Sequence, residues 1–289
     1  MATQHRETVG VLGAGSVTGP LLLREIRLRG LAALAMPDGE ASLTPAPGLV
    51  VGDPEGMPAQ PVPLWISALE LDRLPAHFAL LERFGARRVV AISSMDVLTK
   101  SFSADPDDLK RAESLKSAEG EFRFWAKAHD VAWTVLRPTL VYGQGRDRTV
   151  AEIARLIRRL GFFPVLGPAE GLRQPLHGLD LARAACAALR SPLAENRIYA
   201  ISGAEVLTYS EMVTRIFQAM GRPVRLRRLP LFAFHLAAAF AAVHPRYRHY
   251  KIATVIAMNQ DMAFSHQQAA RDFGFTPRRF DLRADDLPH

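Results

Sequence analysis

No tyrosine precedes Tyr142 in this chain of 289 residues, and only five occur in all. The first half therefore offers no phenol as acid, base or hydrogen-bond donor. Cysteine is scarcer still: Cys186 stands alone, which excludes an intramolecular disulfide and points to a reducing compartment. It falls in the apolar helical stretch Leu181 to Leu189, where a free thiol packs as a small core side chain. The longest apolar run, Leu229 to Val243, is too short for a spanning helix and carries His235. Met1 to Thr8 is polar and lacks a signal-peptide pattern, so the expected location is cytoplasmic. Internal repeats and low-complexity tracts are missing as well.

What is present reads as an ordinary globular chain, 48% hydrophobic and 22% charged, able to bury a large core as one domain or two. The formal net charge of +7 is compatible with nucleic acid, a membrane surface or an anionic small molecule. The basic residues sit in short pairs such as Arg87-Arg88, Arg158-Arg159 and Arg227-Arg228. No basic stripe is interleaved with aromatics, so no nucleic-acid partner is expected.

Apolar runs alternate with helical segments. Glu7 to Leu12, Leu31 to Met36, Gly48 to Val51, Leu64 to Ala68 and Arg88 to Ser93 read as strands; Pro20 to Arg29 and Leu74 to Phe84 read as helices. Continuous apolar strands of this kind suit a parallel sheet covered on both faces. Residues 37–63, rich in proline and glycine, hold no ordinary crossover helix and imply a trimmed βαβ unit. Glu113 to Ala128 is an amphipathic helix with Leu115, Ala118, Phe122 and Trp125 on one face, followed by a strand at Ala132 to Leu136. Further on, Thr149 to Leu160, Leu179 to Leu189 and Ser210 to Met220 are helical, and Arg197 to Ile201 is a strand.

The first strand runs into Gly13-Ala14-Gly15-Ser16-Val17-Thr18-Gly19 and then a helix. Glycines at such a turn permit close backbone approach to a pyrophosphate, and the helix N-terminus faces it with N–H groups. Gly13, Gly15, Ser16 and Gly19 are therefore candidate cofactor contacts. A tight turn without a ligand is the bland alternative. The second strand ends Ala35-Met36-Pro37-Asp38, with no arginine for a 2′-phosphate. Asp38 suits either ribose hydroxyls or a turn.

From these motifs the chain resembles the extended short-chain dehydrogenases/reductases, the NAD(P)-dependent epimerase/dehydratase type. The turn is similar to that family's Gly-x-x-Gly-x-x-Gly, with Ser16 at the middle position. Val51-Gly52-Asp53 resembles its strand end, which implies Asp53 near an adenine. Ala91-Ile92-Ser93-Ser94 resembles the strand end whose second serine bonds substrate. Leu136-Arg137-Pro138-Thr139-Leu140-Val141-Tyr142-Gly143 resembles the segment that flanks the nicotinamide, which makes Pro138 a cofactor contact. Pro175 to Ala182 resembles a His-x-x-Asp-x-Ala helix start, where Asp180 caps a helix and His177 is structural. Leu207 to Glu211 resembles a Thr-x-x-Glu capping device. Residues 259–280 resemble the closing Gly-Phe-x-Pro stretch. Arg173 and Gln174 fall where the resemblance implies substrate contacts, and an arginine there suits a phosphate; the alternative expectation is that each is a surface residue.

The resemblance implies a Rossmann-type doubly wound α/β fold with a smaller, mainly C-terminal substrate region. Residues 1–143 form the dinucleotide-binding domain and 144–289 a mixed region, of which 178–202 returns to the Rossmann core. It implies NAD or NADP as cofactor, no metal, and a small-molecule substrate such as a nucleotide sugar. It also implies a catalytic Tyr-x-x-x-Lys pair, and this chain departs there. Anchoring on Ala118-Glu119 puts Glu113 and Ser117 at the pair; anchoring on Lys116 leaves Ala112. Neighbouring helix positions differ by about 100°, so both registers cannot hold. Ser94 and Lys116 remain as catalytic candidates, and a dinucleotide-binding sensor, scaffold or assembly protein without turnover is the alternative. Arg225, Arg227 and Arg228 precede the apolar run and Arg246, Arg248, His249 and Lys251 follow it. Residues 225–251 thus suit a peripheral membrane contact, a substrate lid or a homodimer helix.

Overall fold

The computed structural model describes residues 7–36, 48–52, 60–101, 103, 105–229 and 258–288. Its first half contains β1 (Thr8–Leu12), α1 (Gly19–Leu28), β2 (Ala32–Met36), β3 (Leu49–Val51) and β4 (Leu64–Ser67). A 3-10 turn (Leu71–His77) then leads into α2 (Phe78–Arg83), β5 (Arg88–Ile92), α3 (Asp96–Thr99) and α4 (Pro106–Ala128). Next come β6 (Ala132–Pro138), β7 (Val141–Tyr142), α5 (Val150–Leu160), β8 (Phe163–Leu166), β9 (Leu172–Arg173), β10 (Leu176–His177) and α6 (Gly178–Arg190). The chain continues through β11 (Arg197–Ile201), β12 (Leu207–Thr208), α7 (Tyr209–Ala219), β13 (Leu226–Leu229) and α8 (Gln267–Phe273).

Seven strands make one parallel sheet in the order β11-β6-β5-β4-β1-β2-β3. Val9, Val11, Ala33, Ala35, Ile66 and Val90 pack with residues of α1 and α6. Leu12, Trp65, Val89, Ala91 and Val135 pack with α2 and α4. Burial on both faces is why these strands are continuously apolar. This is the doubly wound Rossmann-type fold. The strand order reverses between β1 and β4, so a crevice opens beyond their carboxyl ends.

Two boundaries differ from the periodicity. The long helix begins at Pro106, not Glu113, because Asp105 accepts the Asp107 amide at 2.9 Å and Asp107 and Asp108 supply an acidic first turn. That first turn is polar, so the apolar period does not reach it. The segment 74–84 opens as a 3-10 turn with Pro75 inside it, and only Phe78–Arg83 is α-helical. The capping box at the start of α7 forms as its sequence reads: Thr208 Oγ1 accepts the Glu211 amide at 3.1 Å, and Glu211 accepts the Thr208 amide at 2.7 Å.

A third core joins Tyr142, α5, β8 and α7 to Met258, Phe280 and Leu287. The tail, residues 278–288, is fastened across it. Asp180 accepts from the Arg278 guanidinium at 2.8 and 2.9 Å and from the Arg278 amide at 2.9 Å. His177 Nδ1 accepts the Leu179 amide at 3.0 Å, so Nε2 carries the proton it donates to Asp286 at 2.9 Å. The helix cap is thus His177, and Asp180 anchors the tail, which corrects the expectation that Asp180 caps α6. Burial opposes ionisation of Asp286, but the His177 bond, the Arg283 amide and the charge of Arg278 together outweigh it and hold that carboxyl below its ordinary range.

Arg88 staples the other end of the sheet. It is buried, and its guanidinium donates to Thr134 Oγ1 at 2.9 Å and to the Ala188 carbonyl at 3.0 Å near the C-terminus of α6. A cation there opposes the negative end of the helix dipole. Arg88→Leu is expected to lower stability by about 2 kcal/mol, because a charged donor to buried acceptors is lost. An unchanged midpoint in urea unfolding would show the staple to be dispensable. A pH effect is expected where α8 begins. Burial lowers the pKa of His266, which pairs with Ser202 Oγ at 2.8 Å, from its ordinary value of 6.5. A lowered folded-state pKa favours the neutral ring, so this contribution is full above pH 6.5 and is lost as pH falls below it. Unfolding curves of His266→Gln against the parent across that range should converge at the acid end.

Candidate functional site

The crevice is built from the loops that leave the carboxyl ends of the strands. After β1 the chain turns at Gly13 with φ +68°, where a Cβ would lie 2.8 Å from the Leu69 amide nitrogen. Gly19 opens α1, and a Cβ there would lie 2.2 Å from the Ala14 carbonyl oxygen. Both glycines are demanded by the turn itself. Gly15, between them, is exposed at the crest. Ser16 folds inward: its Oγ accepts the Gly19 amide at 3.1 Å and its own amide donates to Gly13 at 3.0 Å. The helix start is therefore partly capped from within. Pro20, the second residue of the helix, has no N–H. Asp38 and Asp53 lie outside the described residues.

Beyond β5 the two serines divide. Ser94 Oγ accepts the Asp96 amide at 3.1 Å, closing the bend before α3. Ser93 Oγ is buried and donates to Glu119 Oε1 at 2.6 Å. Arg137, at the end of β6, donates from Nε to the same oxygen at 2.9 Å and from an Nη to Glu119 Oε2 at 2.5 Å. Glu119 is only 2% exposed. A bidentate pair with a third donor is the geometry in which a buried carboxylate is tolerated. Pro138 is buried beside it, and its carbonyl accepts the Met95 amide at 3.0 Å.

This network fixes the rotation of α4. One and two turns before Glu119, the sheet-facing line of the helix carries buried Leu115 and then Arg111. Arg111 donates from Nε to Asp96 at 3.0 Å and from an Nη to Glu70 at 3.4 Å, residues of the loops after β5 and β4. Lys100 joins Asp96 at 3.6 Å and Asp108 at 2.9 Å. Arg148 approaches Glu70 at 3.8 Å. Glu113, Lys116 and Ser117 lie on the exposed side of α4, and Ser117 spends its hydroxyl on Glu121 at 3.0 Å. Ala112 is buried. No hydrogen bond joins Lys116 to Ser94 among the described residues. Letter spacing offers two registers and hides this third one, because Arg111 carries no motif; the glutamate between Ala118 and Gly120 was the available signal.

Tyr142, the first tyrosine of the chain, is a core residue. Its ring packs edge-on to His177 at 5.2 Å and Phe280 at 4.9 Å, and burial pushes its phenol pKa up. Past it, Asp147 accepts the Thr149 and Ala151 amides at 3.0 and 3.1 Å and opens α5; burial raises its carboxyl pKa. Arg173 is 3% exposed and has no carboxylate partner among the described residues. One of its Nη atoms donates to the Leu172 and Gln260 carbonyls, each at 2.7 Å, and the guanidinium lies 5.4 Å from the Tyr209 ring centroid. Burial lowers its pKa. Gln174 accepts the Phe264 amide at 2.5 Å, so it ties two segments of the smaller region together. Cys186 lies in the core, where burial raises its thiol to about 12.

No protein-family model matches the chain. Its geometry does have clear counterparts. UDP-glucuronic acid 4-epimerase from Bacillus cereus, solved in complex with NAD, matches with a TM-score of 0.66 at 14% identity, over 96% of this chain and 95% of that one. UDP-glucose 4-epimerase from Thermotoga maritima, solved with UDP-glucose, matches with a TM-score of 0.65 at 14% identity, over 93% of each chain. The chain shares the fold of the nucleotide-sugar epimerases. In sequence it is 24% identical over 163 residues to UDP-glucose 4-epimerase of Vibrio cholerae, covering 53% of this chain and 49% of the relative. It is 28% identical over 110 residues to NADH dehydrogenase (ubiquinone) 1 alpha subcomplex subunit 9, mitochondrial, of Arabidopsis thaliana, covering 38% and 26%. The chain thus spans half or less of the curated relatives it matches.

The Glu119 network makes a sharp prediction. Glu119→Leu and Arg137→Leu should each lower stability by about 3 kcal/mol, because each strands a buried charge. The double substitution should fall well short of the sum. Additive losses in urea unfolding would mean that the two charges are not coupled.

Proposed function

We propose that the protein binds a nicotinamide dinucleotide, NAD or NADP, in the crevice between β1 and β4 and acts on a small molecule without a Tyr/Lys proton relay. The observation that carries this reading is the Gly13–Gly19 turn, which leaves Gly15 exposed at the crest beside the start of α1. An exposed glycine there admits a pyrophosphate against the backbone, and Thr18 leaves the helix start without a side-chain cap. Similarity to solved structures holding NAD supports the same placement. When bound, the cofactor supplies hydride transfer; this chain's residues supply the cradle and the walls.

The proton relay is where the reading departs from the epimerases. Arg111 and Leu115 occupy the sheet-facing line of α4, and neither serves as a general base near neutral pH. Ser94 is the hydroxyl nearest the end of β5 that retains its proton for another acceptor. Arg173 supports an anionic substrate, such as the diphosphate of a nucleotide sugar. Its buried charge is bonded to carbonyls and lies against an aromatic face, with no ion pair among the described residues.

A second reading has its own observation. Arg111 is tied to Asp96 and Glu70 across the mouth of the crevice, which suits a chain that holds a dinucleotide without turning it over, as a sensor or assembly subunit. A homodimer and a cytoplasmic location belong to both readings. Among the described residues no helix is long and apolar enough to cross a membrane.

Titration calorimetry with NAD, NADP and their reduced forms tests the binding. At least one should bind, and Gly15→Asp, placing a carboxylate against the pyrophosphate, should weaken it by about tenfold or more. Failure of all four to bind sinks both readings. Incubation with the oxidised cofactor and UDP-glucose or UDP-glucuronic acid separates them: appearance of reduced-cofactor absorbance or of an epimerised sugar nucleotide supports the first, unchanged cofactor and substrate the second.

A further inference from the structure

A basic face distinct from the crevice is formed by α5 and β13. Arg155 and Arg158 lie on the exposed side of α5, away from its buried Val150, Ile153, Ala154 and Ile157. Arg222 reaches the end of that helix, donating to the Ile157 carbonyl at 3.3 Å and the Arg158 carbonyl at 3.5 Å. β13 then runs beside β8, paired in parallel, and leaves Arg225, Arg227 and Arg228 exposed, Arg225 and Arg227 toward one side of the chain and Arg228 toward the other. The Arg225 carbonyl accepts the Phe163 amide at 2.9 Å, and the Arg227 guanidinium stacks 4.6 Å from the Phe162 centroid.

None of these six arginines makes an ion pair among the described residues. Other arginines of the chain, among them Arg29, Arg111, Arg183, Arg190, Arg215 and Arg278, do meet a carboxylate. Apolar side chains are interspersed with the charges: Leu160 is 43% and Val224 44% exposed. A partner must therefore offer anions and apolar contact together.

We propose that the α5–β13 face binds the surface of a bilayer that contains anionic phospholipid. Headgroup phosphates accept two N–H bonds from one guanidinium, which suits arginine more than lysine. The glycerol and upper acyl layer accept Leu160 and Val224. A nucleic acid needs free aromatic faces for stacking, and the Phe162 face is already covered by Arg227. An acidic protein satisfies the charge but gives no reason for the exposed aliphatic pair. The face does not depend on the dinucleotide crevice, so the proposal stands or falls apart from the function proposed above.

Sedimentation of the full chain with vesicles tests it. Binding is expected to phosphatidylcholine vesicles containing phosphatidylglycerol, not to phosphatidylcholine alone, and it should be lost at high salt. Arg225→Ser with Arg227→Ser should weaken binding by about tenfold or more, at roughly fivefold per arginine. Arg155→Ser should shift it in the same direction, while Arg87→Ser, at an exposed arginine before β5, should bind as the parent. Unfolding curves confirm that each variant is folded. Equal binding to neutral vesicles, no binding to anionic ones, or a double variant that binds like the parent overturns the proposal. So does capture by RNA or an acidic protein in place of the vesicles.

Discussion

Glu119 decides how the rest of the site is arranged. A carboxylate at 2% exposure is tolerable only with donors on both oxygens, and Ser93 and Arg137 provide them from two neighbouring strands. One helix is thereby keyed to two strands at a single rotation. Every residue of α4 inherits its environment from that key: Leu115 goes to the core, Arg111 to the crevice mouth, and Lys116 to solvent. Hydrophobic packing of Phe122 and Trp125 adds stability but tolerates sliding far better than a bidentate ion pair does.

Much of this was legible in the residues. The apolar strands, the glycine turn and the long amphipathic helix predict a doubly wound parallel sheet, and the solved relatives share that fold. The start of α4 was hidden because its first turn is held by Asp105 and carries acidic residues, which have no apolar period. The rotation of α4 was hidden for a different reason. Motif matching aligns letters, whereas rotation follows from which polar side chain is buried, and burial of Glu119 depends on Arg137, 18 positions later. Asp180 was misassigned in the same way: its partner, Arg278, lies far along the chain. Asp38, on which the choice between NAD and NADP rests, and Asp53, read as lying near the adenine, fall outside the described residues.

The crevice mouth and the α5–β13 face treat charge in opposite ways. At the mouth, Arg111, Lys100 and Arg148 are interlocked with Asp96, Asp108 and Glu70, so little net field projects outward. Such exposed pairs contribute little to stability individually, yet together they fix the relative positions of the loops after β4 and β5. On the α5–β13 face the arginines meet carbonyls and a ring, and make no ion pair among the described residues.

The fastening of the tail also bears on how the chain is made. Asp180 and His177 find their partners 98 and 109 positions later, in Arg278 and Asp286. While the chain is being synthesised, α6 can already dock on α1 and the sheet, but its carboxylate has no counter-charge and its capping histidine no acceptor. The order of emergence from the ribosome therefore leaves a polar seam at the start of α6 until residues 278–286 arrive. Closing that seam late ties the finishing of both regions to one event.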